Sequence, residues 1–399
     1  MKPVIDFDQH GPAFAADWRG ILKDLRANNP LAWTEAHGGY WVATKYDDIV
    51  HMERTPEVFS CHHDMTDPGG PQGIRIPPSP FHFQLNESDP PKHTGLRALE
   101  QPFFTPERIL QWKALAQRHA DEQLDRMLAK AEGDLVEDYT IPMPARTTLK
   151  LIGVPDDDWP HYMAAALSAF LPTDHPDYPV EARIAIGKRL KELMALRREE
   201  PRDDVISALT HAEIDGEPLP EDVALSMLMP LAFGGFDTTA ATAASAIHWL
   251  EDKPHLHDRL IEDDAFLSRA VDEWLRYFTP VTGGLARNVV RETELRGQTL
   301  RPGERVLMMF ASGNYDEDRF AEPDKVDLDR HNAKQHIAFG VGRHRCIGMV
   351  LGHAEIGIMV RSFLGRMKRY RIDHARAKRF PTMGLINGWL EMPVACEAR

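Results

Sequence analysis

Phe339-Gly340-Val341-Gly342-Arg343-His344-Arg345-Cys346-Ile347-Gly348 sets one cysteine in a loop framed by three glycines and led by an aromatic residue. Glycine has no Cβ and reaches backbone conformations closed to other residues, so such a loop suits main chain lying against a large flat object. After the loop, Ile347, Val350, Leu351, Ala354 and Ile358 recur at helical spacing. Cys346 therefore stands at a helix N-terminus, where free N–H groups and the macrodipole favour a thiolate, and a ligand held ionised is expected. Most free cysteines are instead buried structural residues, and zinc bound with His344 and His353 is the other chemistry open here. Zinc fails on count, because only Cys61 and Cys396 remain as thiols and neither lies in a Cys-x-x-Cys pair.

The pattern F-G-x-G-x-H-x-C-x-G resembles the haem-binding loop of the cytochrome P-450 family, in which the cysteine thiolate is the axial ligand of haem iron. The resemblance implies that Cys346 is the sole protein ligand to iron and that His344 bonds a haem propionate. Met229-Pro230-Leu231-Ala232-Phe233-Gly234-Gly235-Phe236-Asp237-Thr238-Thr239 lies about 100 residues upstream, inside an apolar run of more than 20 residues. Pro230, the glycine pair and Asp237 interrupt that run and argue against a membrane span. The segment is similar to the family's long central helix, whose G-G-x-D-T stretch crosses the distal face of the haem. On that reading the glycines, each costing a helix interior about 1 kcal/mol relative to alanine, leave room for oxygen. Thr238 then offers a hydroxyl and Asp237 a carboxyl that feeds protons toward dioxygen. The competing reading of Asp237-Thr238-Thr239 is back-bonding to helix carbonyls. A proline inside a helix costs about 3 kcal/mol unless the helix bends, so a kink is expected at Pro230.

Glu273 and Arg276 are neighbours on a helix whose apolar stripe is Leu267, Val271, Trp274 and Phe278. An exposed pair of this kind is worth little. In the family's order it resembles the E-x-x-R motif, a buried network with Arg330 as third member that supports the haem loop. His93 and Arg97, four residues apart after Pro90-Pro91, share a helix face, and Arg287 follows the E-x-x-R helix on a strand. Singly, each suits a solvated surface charge. Together with His344 they match the family's cations for the haem carboxylates, where charge-assisted bonds fix the ring.

The chain has 399 residues, 43% hydrophobic and 27% charged, as an ordinary globular protein does. No linker or repeat divides it, and the Pro/Gly-rich run 67–80 reads as a loop within one domain. Three unpaired cysteines and an N-terminus, Met1 to Asp8, without an apolar stretch lead us to expect a cytoplasmic protein with no membrane anchor. A formal net charge of −14 argues against nucleic acid as a partner. Helical spacing covers 107–131, 182–199, 221–250, 264–278 and 347–368, while Gly39 to Thr44, Ala286 to Glu292 and Glu304 to Phe310 read as strands.

The resemblance spans essentially the whole chain. It implies a single domain over 1–399, mainly α with small β-sheets, holding haem b (iron protoporphyrin IX) between the central helix and the helix after Cys346. The G-G-F-D-T form and the length are similar to bacterial enzymes of the camphor-hydroxylase kind. These are monooxygenases that put one atom of O2 into a C–H bond, with electrons from a ferredoxin and its reductase. Family topology points to Phe81, Phe83, Phe233, Leu285 and Ile386 as substrate contacts, with Leu85, Phe236, Val281 and Leu385 beside them. Core packing competes at each position. Nearly all are apolar, so a terpenoid, steroid or aromatic ligand is expected, with no charged anchor. A basic face for the electron donor is expected from Arg343 and Arg345, with Arg108 and Lys113 nearby. A peroxide-driven haem-thiolate peroxygenase would not need the Asp237-Thr238 pair, and a haem sensor or ligand carrier would bind the same cofactor without turnover.

Overall fold

The computed structural model describes residues 2–67, 69–130, 132–166, 171–283 and 285–399. The helices that shape the site are α1 (Tyr46–Arg54), α2 (Lys92–Glu100), α3 (Pro106–Leu128), α4 (Pro142–Ile152), α5 (Val180–Glu199), α6 (Glu221–Gly234), α7 (Asp237–Leu250), α8 (Asp264–Phe278) and α9 (Met349–Arg366). Their ends follow local chemistry. Thr105 caps α3 by accepting from the N–H of Arg108, with Pro106 in the first turn. Asp263 caps α8 by accepting from Phe266, and Thr279 ends it in the left-handed region at φ 37°.

These helices bury their apolar stripes in one large core, with α9 packed on α3, α7 and α8, and α6 on α4 and α5. Glu221–Leu250 is long and apolar enough to cross a membrane by length and composition alone, yet 56% of its most apolar window is buried inside the protein. That run is two helices. The kink expected at Pro230 falls inside α6, which continues through the proline to Gly234; the interruption between the two helices lies at Gly235 and Phe236. Packing is close at this point: a Cβ on Gly235 would lie 2.3 Å from Thr148 Oγ1 on α4. The break sets Asp237 and Thr238 in the first turn of α7.

The principal sheet joins β1 (Leu31–Thr34), β2 (Tyr40–Ala43), β3 (Phe59–Ser60), β4 (Leu285–Val289) and β5 (Arg305–Met308) in the order β1-β2-β5-β4-β3. β2 is buried along its whole length, as a strand with neighbours on both sides and cover on both faces should be. β5 runs parallel to β2 and antiparallel to β4, with Val306 opposite Arg287. This register brings Arg287 to the buried side of α1.

Candidate active site

The cysteine loop is held by its own backbone. The N–H of Cys346 donates to Phe339 O at 2.9 Å. Gly340 and Gly342 turn through φ 65° and 69°, and a Cβ on Gly342 would lie 2.4 Å from Glu53 O, so a larger residue is excluded twice over. Cys346 Sγ is open to a cavity of about 420 Å³ that also reaches Gly234, Asp237 and Thr238. One expectation needs correction. Burial pushes the Cys346 thiol up, and the N–H of Gly348 and the charges of Arg97 and Arg345 only partly offset it. The helix end alone does not outweigh burial here, and a cation bound at Sγ would favour the thiolate.

Behind this loop, Arg276 is wholly buried and gives both Nε and Nη2 to the Glu273 carboxylate at 2.8 Å. Arg330 Nε reaches the same two oxygens at 3.2 and 3.1 Å. The remaining Arg276 donors hold the carbonyls of Asn314, Pro323 and Lys325, which ties α8 to the chain leading into the loop.

All of His93, Arg97, Arg287 and His344 line the cavity. The rings of His93 and His344 stand 4.1 Å apart, and the Nε2 of each is buried with no partner among the described residues. Burial, with nearby arginine charge, lowers His93 to about 4 and His344 to about 2. Arg97 Nη2 donates to Arg345 O at 2.6 Å. Arg287 pairs with the buried Glu53 on α1, 234 residues away in sequence. Two orphaned imidazole nitrogens, two guanidinium groups and a cavity-facing thiol form a donor set that fits the carboxylates and metal of a haem. Cys61, Asp89 and His344 also converge, with ligand atoms within 4.8 Å. Burial raises the Cys61 thiol to about 12, however, and Asp89 already accepts from Ser60 and Cys61. His353 bonds Asp272 at 3.2 Å and is no partner for Cys346.

On the α6–α7 side, Gly234 would meet nothing within 4 Å if it carried a Cβ, so here glycine does leave open space. Asp237 is 6% exposed, its Oδ1 has no partner among the described residues, and burial pushes its carboxyl up to about 7 against the pull of Arg183. Thr238 Oγ1 makes a long 3.4 Å bond to Gly234 O, the back-bond that competed with a functional reading, while the residue still lines the cavity.

Phe83, Leu85, Phe233, Val281, Leu285, Leu385 and Ile386 all line the cavity. Val281 and Ile386 are joined by a β-bridge that fixes that wall. Two expected contacts do not reach it. Phe236, fully buried, turns into the main core at the start of α7, and Phe81 stays outside on a loop bonded back to Ser79. Five charged lining residues escaped the sequence reading: Glu53, Arg75, Glu100, Arg183 and Glu355. Burial raises Glu100 to about 8 and Glu355 well above the carboxylate range. Glu355 lies on a buried stripe with Leu351 and Met359, and Arg183 on one with Ile186 and Leu190, so each was visible as a charge breaking an apolar face. Of the expected basic face, Arg343, Arg345 and Lys113 are exposed, but Arg108 is paired with Asp203.

The family model described as Cytochrome P450 matches residues 156–381. A steroid C26-monooxygenase of Mycobacterium tuberculosis (strain CDC 1551 / Oshkosh) is 30% identical over 354 residues, 87% of this chain and 91% of the relative. Linalool 8-monooxygenase of Pseudomonas putida is 28% identical over 389 residues, 92% of this chain and 93% of the relative. A Mycobacterium marinum cytochrome P450 solved in complex with pseudoionone superposes with a TM-score of 0.88 at 29% identity, covering 99% of each chain.

Proposed function

Because the chain belongs to the cytochrome P450 family of haem-iron oxygenases, we propose that it inserts one atom of O2 into a C–H bond of a hydrophobic small molecule. Its electrons come from a ferredoxin and ferredoxin reductase, its cofactor is haem b, and it works in the cytoplasm. The observation that carries this reading is a single cavity with the Cys346 thiol in one wall and the Asp237 carboxyl and Thr238 hydroxyl in another. Similar proteins are named for steroid and linalool oxidation, and the apolar lining supports a terpenoid, steroid or aromatic substrate here.

Haem, when bound, supplies reductive activation of dioxygen and the oxidising equivalent for the C–H bond. The protein's part is binding, orientation and proton supply. Cys346 Sγ would ligate the iron, and His93, Arg97, Arg287 and His344 would hold the propionates. For Arg287 this means sharing its guanidinium between a propionate and Glu53. Asp237 holds a proton near neutrality, since its carboxyl titrates at about 7, and passes it toward the Thr238 hydroxyl. Thr238 Oγ1 is tied only by a long bond to Gly234 O, so it can turn to donate into the cavity. Phe83, Phe233, Leu285 and Ile386 contact substrate and exclude water. The proton-bearing pair supports dioxygen over peroxide as the oxidant. The test is reduction with a surrogate ferredoxin system in the presence of ligands that shift the haem spin state, followed by a search for oxygenated product. Peroxide-driven turnover in place of electron-driven turnover, or ligand binding without product, would overturn it.

A further inference from the structure

Two guanidinium groups stand in the apolar cavity without a part in the chemistry above. Arg183 is 6% exposed, and its guanidinium carbon lies 5.0 Å from the rings of both Tyr178 and Phe233. Arg75, from the loop between β3 and α2, is half-buried, and its side chain makes no ion pair among the described residues. Besides desolvation, the charge of Arg183 opposes that of Arg75, so the two lie in one field with like sign. Among the described residues, the Glu87 carboxylate faces Arg75 and the Asp237 carboxyl faces Arg183. Glu87 is already committed: it accepts from the N–H groups of Ile74 and Phe83 and pairs with His63. Asp237 is buried, and among the described residues Arg183 is the cation that faces it.

Arginine stays protonated at any physiological pH, and buried charge is tolerated where an opposite charge meets it. A planar carboxylate matches the guanidinium fork with two parallel bonds. Phe233 both carries the Arg183 guanidinium on its ring and lines the apolar cavity, so the cationic and apolar parts of the site are continuous. We propose that the substrate is an apolar molecule bearing one carboxylate, anchored by Arg75 and Arg183, with its hydrocarbon body along Phe233, Leu285 and Ile386. This rests on the monooxygenase reading and sharpens it, against the neutral anchor-free ligand expected from sequence.

The test compares acids with their uncharged esters on the haem-loaded protein: dodecanoate with methyl dodecanoate, and abietate with methyl abietate. Affinity is read from the haem absorption change and independently by calorimetry. At least one acid is expected to bind about ten-fold or more tighter than its ester. Arg75→Gln and Arg183→Gln should each bring the ratio near unity, and Arg75→Lys should keep part of it, because charge survives while the fork is lost. Haem content and the carbon monoxide spectrum verify that each variant folds; should Arg183→Gln fail to, Arg75→Gln decides. Esters bound as tightly as acids, no response to either acid up to its solubility, or an acid preference unchanged in Arg75→Gln would overturn the proposal. A parent protein whose reduced carbon monoxide adduct lacks the thiolate-type spectrum fails the monooxygenase reading instead, and calorimetric acid preference is independent of that result.

Discussion

The two sides of the cavity bury charge to a similar depth and treat it in opposite ways. Behind the cysteine loop, all five N–H donors of Arg276 are used, on Glu273 and three backbone carbonyls, and Glu273 also takes Arg330 and the N–H of Asp327. On the cavity side, Asp237 Oδ1 and Glu355 Oε1 are buried with no partner among the described residues. A saturated buried network is stable only as a whole, because removing one member strands the others. An unsatisfied buried group is costly at rest, and the folded chain tolerates it where a ligand or a proton will complete it. At these two places satisfaction, more than burial, separates scaffold from working surface.

The comparison breaks most severely at the cysteine. Cys346→His should abolish the thiolate-type carbon monoxide spectrum outright, and a spectrum unchanged from the parent would sink the assignment of Cys346 as the iron ligand. Next in size is the saturated network. Arg276→Leu leaves Glu273 buried with Arg330 and the N–H of Asp327, and a broken buried pair costs roughly 3–5 kcal/mol, so chemical denaturation should show a loss of that order or no folded protein. A variant within about 1 kcal/mol of the parent would mean that the network is worth no more than an exposed pair.

On the unsatisfied side, substitutions should spare the fold and change the chemistry. Thr238→Ala should leave haem and ligand binding largely intact while diverting reducing equivalents to peroxide or water. Asp237→Asn should lower product formation by about 10²–10⁴-fold, the usual worth of a positioned proton donor. The sign of the pH effect follows from the raised carboxyl: Asp237 carries its proton below about 7 and loses it above. Product formation in the parent should therefore fall as pH rises through that region, and the step should be missing from Asp237→Asn. Unchanged coupling in both variants would pass proton delivery to another group, and Glu100 and Glu355 are further buried carboxyls in the lining.

Helices were legible because their apolar stripes are periodic; the segment read as 107–131 forms over Pro106–Leu128, and that read as 264–278 over Asp264–Phe278. The cysteine loop and the Glu273–Arg276 pair were legible because spacing alone brings their members together. The Glu53–Arg287 pair was not, since 234 residues separate its partners and only the register of β4 against its neighbours joins them. Arg75 was hidden in a loop with no period at all. The interruption at Gly235 was not read from the sequence, because the close approach of Gly235 to Thr148 on another helix leaves no local signal, whereas the penalty of Pro230 is visible in sequence.

The smallest expected effect concerns the outer face of the saturated side. Arg343 and Arg345 are exposed beside the ligand loop, with Lys113 exposed on α3, although the chain carries a formal net charge of −14. Arg108 does not add to this face, because Asp203 neutralises it. We propose that the electron donor docks over this loop, to which an acidic ferredoxin would be steered by opposite charge. Steering acts on encounter and weakens as the Debye length shrinks from about 30 Å at 0.01 M to about 8 Å at 0.15 M ionic strength. The Arg345 side chain can be changed without touching the bond from Arg97, which uses the Arg345 backbone carbonyl. Arg345→Glu should therefore slow first-electron transfer at low salt by about ten-fold and by much less at high salt, with ligand affinity unaltered. Stopped-flow reduction across a salt series measures this directly, and equal rates for variant and parent at low salt would place donor docking on another surface.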